Sequence, residues 1–329
     1  MPKVYLSNKD SFHIDPNQTI FDAAKKANIL FEHSCLNGRC NSCIGKIVEG
    51  ETQKVRDEIG LTRQELENNF ILTCCRTANS DVKLEIEQVS GIPYLPQPKT
   101  IPAKIQSLKP IQQDIVELTI RIPPTTKFEF EPGQYVNLSK NGVRRSYSIL
   151  KMNKTLIKFL IREYPDGKFS NYLFRQARLN DLIQVNGPYG TFCLRKKNSD
   201  HLIFMATGTG IAPIICILDA LNRKTPPETP PSIHIFQGAR FQNEILRIPV
   251  FENLTIQTHL CLSRERTDGT ETGYVQDVFL KAGIPIESCE FYACGSQAMT
   301  RDAKKTLLQH GMNPHQFHSD AFVETNHIQ

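Results

Sequence analysis

Four cysteines constrain this chain more than any other feature. Cys35, Cys40 and Cys43 form C-x4-C-x2-C within Cys35-Leu36-Asn37-Gly38-Arg39-Cys40-Asn41-Ser42-Cys43, and a further thiol follows in Leu72-Thr73-Cys74-Cys75. Two sulfide-bridged irons need four thiolates close together. A tight loop with small residues such as Gly38 and Ser42 delivers three of them while its amides point at the sulfurs. The spacing is that of a [2Fe–2S] site. The competing reading is structural zinc, but zinc knuckles prefer C-x2-C pairs, which this pattern fits less well. The fourth ligand stays open between Cys74 and Cys75. Neighbours on a strand point to opposite faces, so only one of them is expected to bind.

Five of the ten cysteines fall between Cys35 and Cys75 instead of being spread as a disulfide framework, and Met1-Pro2-Lys3-Val4-Tyr5 leads into mixed polar sequence with no apolar targeting stretch. The expected compartment is the cytoplasm, where clustered thiols bind metal or carry out redox chemistry. Leu202 to Leu221 is apolar over the length of a membrane span, but Thr207-Gly208-Thr209-Gly210 and Pro213 interrupt it. It reads as buried strand, glycine turn and helix, and no membrane is expected. A net charge of +5 without a dense basic stripe argues against nucleic acid as a partner.

Three regions follow from pattern and punctuation, and together they predict a multidomain protein. Residues 1–90 read as a small α+β domain: strands at Lys3–Ser7, Ile44–Glu49 and Asp81–Val89, and a helix at Ile20–Ala27 capped by Thr19. Residues 91–98 are a proline-rich linker. Residues 99–197 alternate short β-rich runs with Pro-Gly and Asn-Gly turns, which predicts an antiparallel β-barrel. Residues 198–329 alternate strand and helix, which predicts a doubly wound, Rossmann-like α/β domain. A second proline-rich stretch, Thr225–Pro231, reads as a surface loop within it.

Two further constellations fit nucleotide chemistry. Arg144-Arg145-Ser146-Tyr147-Ser148 falls on a barrel strand, and Gly167-Lys168-Phe169-Ser170 opens a helix. A helix N-terminus with a local serine suits a phosphate, an arginine suits a pyrophosphate, and a tyrosine offers a flat face to an isoalloxazine ring. In the third region Ala206-Thr207-Gly208-Thr209-Gly210-Ile211-Ala212-Pro213 runs from strand end into helix, and Pro213 takes the place of the third glycine of G-x-G-x-x-G.

Glu32-His33-Ser34-Cys35 through Cys43, with Ile71–Cys74 and Ser80-Asp81-Val82, resembles the plant-type ferredoxins, of β-grasp fold. That resemblance implies Cys74 as fourth ligand and Cys75 as a bystander. The nucleotide strings, in their order over 99–329, resemble the ferredoxin–NADP reductase superfamily. This implies FAD and a nicotinamide coenzyme. Arg145 would hold the FAD pyrophosphate, Tyr147 would pack on the flavin, and Ser148 would lie near flavin N5. Gly167, Lys168, Phe169 and Ser170 match the second phosphate motif, and Gly208, Thr209, Gly210, Ile211, Ala212 and Pro213 match the nicotinamide-nucleotide loop. Cys294 and Gly295, in Tyr292-Ala293-Cys294-Gly295-Ser296, match the motif whose cysteine sits by nicotinamide C4. The resemblance thus implies Ser148 and Cys294 as the catalytic pair. Phe322 matches the aromatic residue that covers the flavin in many members. The plainer readings are a buried packing thiol for Cys294 and ordinary core for Phe322. Cys193, Cys216, Cys261 and Cys289 read as structural, and His310, His315 and His318 as surface or core.

Ferredoxin first and reductase second is the order in reductases that serve oxygenases, and in those that serve a pyridoxamine-phosphate sugar dehydratase of 3,6-dideoxyhexose biosynthesis; the motifs here favour the latter. The resemblance implies electron flow from NAD(P)H through FAD to the cluster, then singly to a partner enzyme that docks on the loop Asn37–Ser42. NADH is the expected coenzyme and NADPH the alternative. Arg240 is the residue to watch, either meeting a 2′-phosphate or simply solvated. The reading from another class is a ferredoxin-like redox sensor with slow turnover.

Overall fold

The computed structural model describes residues 1–92, 95–196, 199–224 and 231–323. Pro93 and Tyr94 of the expected linker, the expected boundary at 197–198, and positions 225–230 of the second proline-rich stretch lie outside the described residues. The chain divides into two units: Met1–Gly91 with the residues from Asp320 on, and Ile92–Ser319.

The first unit contains β1 (Lys3–Leu6), β2 (Ser11–His13), α1 (Ile20–Lys26), β3 (Ile44–Glu49), β4 (Thr52–Lys54), α2 (Arg63–Glu67), β5 (Phe70–Leu72), β6 (Arg76–Ala78) and β7 (Val82–Ile86). Its main sheet has the order β2-β1-β7-β3-β5, and β4 pairs with β6. β1 and β7 are parallel, whereas β2 and β3 run antiparallel to their neighbours. Strand alternation sets the inner face: Val82 and Leu84 are buried while Lys83 and Glu85 point out. That face packs on Ile20, Phe21 and Ala24 of α1 in one core. The helix begins where its cap predicts, with Thr19 Oγ1 accepting from the Asp22 amide at 3.1 Å.

The second unit holds two sheets. The first comprises β8 (Lys99–Gln112), β9 (Ile115–Arg121), β10 (Tyr135–Lys140), β11 (Val143–Ser148), β12 (Lys151–Asn153), β13 (Leu156–Arg162) and β14 (Leu182–Tyr189), with α3 (Lys168–Arg175) before the last strand. All pairings are antiparallel, in the order β11-β10-β14-β8-β9-β13-β12. Ile105, Leu118, Val136, Phe159 and Val185, from five strands, share one interior with Phe169 and Leu173 of α3. The sheet is the expected barrel. Its longest strand, β8, hides from sequence reading because it contains Pro102 and Pro110; the pairing shifts register between Pro110 and Gln112, the kind of irregularity that lets a strand carry proline.

The second sheet is built from β15 (His201–Thr207), α4 (Ile211–Asn222), β16 (Ser232–Ala239), β17 (Ile256–Leu262), β18 (Glu271–Thr272), α5 (Val275–Lys281), β19 (Cys289–Ser296), α6 (Gln297–Gln309) and β20 (Phe317–Phe322). The order is β18-β17-β16-β15-β19-β20, with β15 to β19 parallel. Leu202–Ala206 are buried without alternation, as a strand covered on both faces must be, and this accounts for the membrane-like hydropathy. No helix among the described residues is long and apolar enough to cross a membrane. The chain builds outward from β15 to β18 and then returns to β15's other side with β19. The crevice at the carboxyl ends of β15 and β19 is therefore the topological switch point, where nucleotides bind in such sheets.

Candidate functional site

The cysteine loop is bent by Gly38, at φ +79°, where a Cβ would lie 2.1 Å from the Asp57 carbonyl oxygen. Its thiols come in two pairs. The Cys40 amide points at Cys35 Sγ (3.2 Å) and the Cys35 amide at Cys40 Sγ (3.4 Å). Cys43 shares a side-chain hydrogen bond with Cys74, which also receives the Gly38 amide. The hydrogen bond from Cys40 pulls Cys35 down to about 7, and those from Cys43 and then Cys75 pull Cys74 down to about 3; the donors Cys40 and Cys43 are pushed well up. Among the described residues no three His, Cys, Asp or Glu side chains are placed to hold a single ion. Two sulfur pairs, buried but for the half-buried Cys35, with amides directed at them suit the binuclear cluster better than zinc.

One expectation needs correcting here. Cys74 and Cys75 lie in the turn between β5 and β6, not on a strand, so the opposite-faces argument does not apply. Their sulfurs approach to 3.6 Å. Sequence reading also missed Glu58. This buried carboxylate accepts from the Leu72 amide at 2.8 Å and pairs with Arg76 at 2.8 Å, tying the segment under the loop to the strands that flank the fourth thiol.

In the barrel, β11 lies beside β10 with Ser148 opposite Tyr135 and Tyr147 opposite Val136. The Tyr147 and Phe169 rings are 5.8 Å apart, so the arginine–tyrosine strand and the Gly167–Ser170 turn form one surface. Ser148 Oγ is buried with no hydrogen-bond partner among the described residues, and burial pushes the Tyr147 hydroxyl up. Arg145 gives one N–H to the Arg144 carbonyl (2.7 Å) and pairs with no carboxylate among the described residues. An aromatic face and an uncompensated guanidinium on one side of β11, with an orphaned hydroxyl at the strand's end, fit FAD. Ser170 engages its hydroxyl within its own turn. Its hydroxyl accepts from the Tyr164 amide at 3.2 Å and donates within the turn to Gly167 O at 3.0 Å. It shapes the loop, leaving the first-turn amides of α3, which has no side-chain cap, for a phosphate.

At the switch point, Gly208–Gly210 form a single 3₁₀ turn leading into α4. A Cβ on Gly210 would sit 2.2 Å from the Cys294 carbonyl oxygen, so this glycine is required by the approach of loop to β19. The Ser296 amide donates to Thr207 Oγ1 at 3.2 Å, locking the Cys294–Gly295 motif to the loop. Ile211, Ala212 and Pro213 are buried, so their side chains face the core. Cys294 is 0% exposed in this structure, and Phe322 ends β20 half-buried.

Two residues near this crevice escaped sequence reading. The Arg162 guanidinium, at the end of barrel strand β13, lies 3.5 Å from where a Gly208 Cβ would be, and Asp114 pairs with it at 3.3 Å. A cation closing a strand just before the Gly167 turn was the available signal. Just past β16, Glu244 clamps Arg240: Oε1 meets Nη2 at 2.5 Å and Oε2 accepts the Arg240 amide at 3.0 Å. The expected structural thiols are buried, and burial pushes Cys216, Cys261 and Cys289 up to about 12. His318 is core: its Nδ1 accepts from Arg195 at 3.3 Å and its Nε2 meets Glu290 at 2.5 Å.

These sites, in this order along one chain, define an iron–sulfur flavoprotein oxidoreductase that uses a nicotinamide coenzyme. Residues 5–79 match the 2Fe-2S iron-sulfur cluster binding domain, 102–193 the oxidoreductase FAD-binding domain and 204–305 the oxidoreductase NAD-binding domain. The CDP-6-deoxy-L-threo-D-glycero-4-hexulose-3-dehydrase reductase of Yersinia pestis is 34% identical over 319 residues, 95% of each chain. The reductase component of propane 2-monooxygenase from Rhodococcus jostii is 28% identical, over 94% of this chain and 88% of that one. The chain belongs to this family of ferredoxin-fused NAD(P)H:FAD electron-transfer reductases. The solved cytochrome P450 reductase GcoB of Amycolatopsis has the same fold, with a TM-score of 0.72 and 22% identity over 98% of this chain and 99% of that one.

Proposed function

We propose that this reductase uses NADH and delivers single electrons to a pyridoxamine-phosphate-dependent sugar 3-dehydrase, as a CDP-6-deoxy-Δ3,4-glucoseen reductase does. The observation that carries the reading is the 34% identity across 95% of both chains with a reductase named for such a dehydrase, against 28% for the propane monooxygenase component. Service to an oxygenase component is the second reading, favoured by the near full-length match to that same component. The chain is proposed to work in the cytoplasm.

In this reading Arg145 and the α3 amides hold the FAD pyrophosphate, Tyr147 orients the ring, and Ser148 supplies the hydroxyl beside it. The backbone amides of the Gly208–Ala212 loop would hold the coenzyme's phosphates, and Cys294 would border the nicotinamide pocket. Cys35, Cys40, Cys43 and Cys74 hold the cluster. FAD, when bound, accepts a hydride's two electrons and releases them one at a time, which a nicotinamide cannot do. The protein's task is to position the nicotinamide against the flavin and to exclude water.

NADH is favoured because Glu244 already neutralises Arg240 and places a carboxylate where a 2′-phosphate would need a free cation. The test is reconstitution with the CDP-6-deoxy-hexulose-3-dehydrase, pyridoxamine phosphate, sugar substrate and NADH. The expected result is NADH oxidation matched to formation of the deoxygenated sugar. No turnover with the dehydrase, but coupled turnover with an oxygenase component, would replace the first reading with the second.

A further inference from the structure

Cys75 is completely buried, and nothing in its chemistry is used by the four-ligand account. Its place is well defined. Its amide donates to the Leu72 carbonyl at 2.8 Å and its own carbonyl accepts from the Val55 amide at 2.8 Å, so the backbone is fixed. Its sulfur lies 3.6 Å from Cys74 Sγ and 3.5 Å from the Asp57 carbonyl oxygen. A Cβ on Gly38 would come within 2.7 Å of it, so the cysteine loop itself walls the thiol in. Cys74 Sγ thus has the Gly38 amide as one neighbour and the Cys75 thiol as another.

The direction of the Cys74–Cys75 contact follows from the chemistry. An iron-bound Cys74 carries no proton, so only Cys75 can donate between them. The Asp57 carbonyl competes for the same proton, but a thiolate ligand carries more negative charge than a neutral carbonyl. We propose that Cys75 is a tuning residue for the cluster: its S–H donates to Cys74 Sγ and stabilises the reduced state, whose extra electron adds negative charge to the sulfurs. No bond is made or broken, and the proton stays on Cys75. The inference rests on Cys74 being the fourth ligand.

The experiment uses the full-length holoprotein and reads iron content first, then the cluster midpoint potential by EPR-monitored titration. Cys75→Ala is expected to keep two irons per chain and to lower the potential, a roughly tenfold loss in the one-electron reduction equilibrium, equivalent to about 59 mV. Cys75→Ser, which keeps a donor, is expected to recover most of that shift. If the alanine variant does not fold, Cys75→Val carries the same test by filling the space without a donor. Full iron with an unchanged potential would overturn the proposal, as would equal shifts in the donor and donor-less variants. Failure of the ligand reading looks different: Cys75→Ala would lose iron while Cys74→Ala kept it.

Discussion

Arg240 shows how one neighbour changes a residue's meaning. Alone, an arginine after the second strand of a nucleotide fold reads either as a 2′-phosphate ligand or as a solvated side chain. Clamped by Glu244 at 2.5 Å, it is already paired. Arg240→Ala should therefore leave the KM for NADH within about twofold, since exposed pairs contribute little. Glu244→Ala should free the guanidinium and lower the KM for NADPH by about tenfold, a change worth roughly 1.4 kcal/mol. Steady-state kinetics with both coenzymes checks this, and a large rise in the NADH KM of Arg240→Ala would contradict it. Ser170 teaches the same lesson in reverse: a serine in a phosphate-like turn is spent on the turn itself.

At the scale of elements, the reading from sequence succeeds where periodicity is long and fails where elements are short or interrupted. His201–Thr207, and the α4 to α6 helices within a residue or two, follow directly from the alternation of strand and helix patterns. The three-residue strands β4, β5 and β6 are too short to show a period, so sequence alone does not separate the cysteine pair in the turn between β5 and β6 from its flanking strands. β8 was hidden by its prolines. Partners distant in sequence, such as Arg162 over Gly208 or Glu58 under Leu72, leave no local pattern. Glu58→Ala would strand Arg76 and the Leu72 amide in a buried site. It should cost about 3 kcal/mol, measured by chemical denaturation, with earlier iron release; an unchanged midpoint would show that the pair is dispensable. In the second sheet, burial, with His201 and His259 alongside, holds His234 below its usual 6.5. The unfolded chain then binds more protons than the folded one just below 6.5, so this contribution is complete above 6.5 and is lost as pH falls through that window. His234→Gln should flatten the acid limb of a thermal-melting profile, and an unaltered slope would assign that limb to other groups.

The whole molecule converts a hydride into single electrons on one chain. Three sites must act in series for that: a nicotinamide crevice at the β15/β19 switch point, a flavin wall on the barrel, and a two-iron loop in the first unit. A redox sensor with the same parts would reduce an artificial acceptor such as ferricyanide only slowly, whereas a reductase does so with rapid turnover. The most direct test is an anaerobic NADH titration of the purified holoprotein, followed by visible spectroscopy and low-temperature EPR. The account predicts bleaching of the flavin together with the rhombic signal of a reduced [2Fe–2S] cluster. Flavin bleaching with no cluster signal would contradict it, because the electrons would then stop before the site from which a partner must take them.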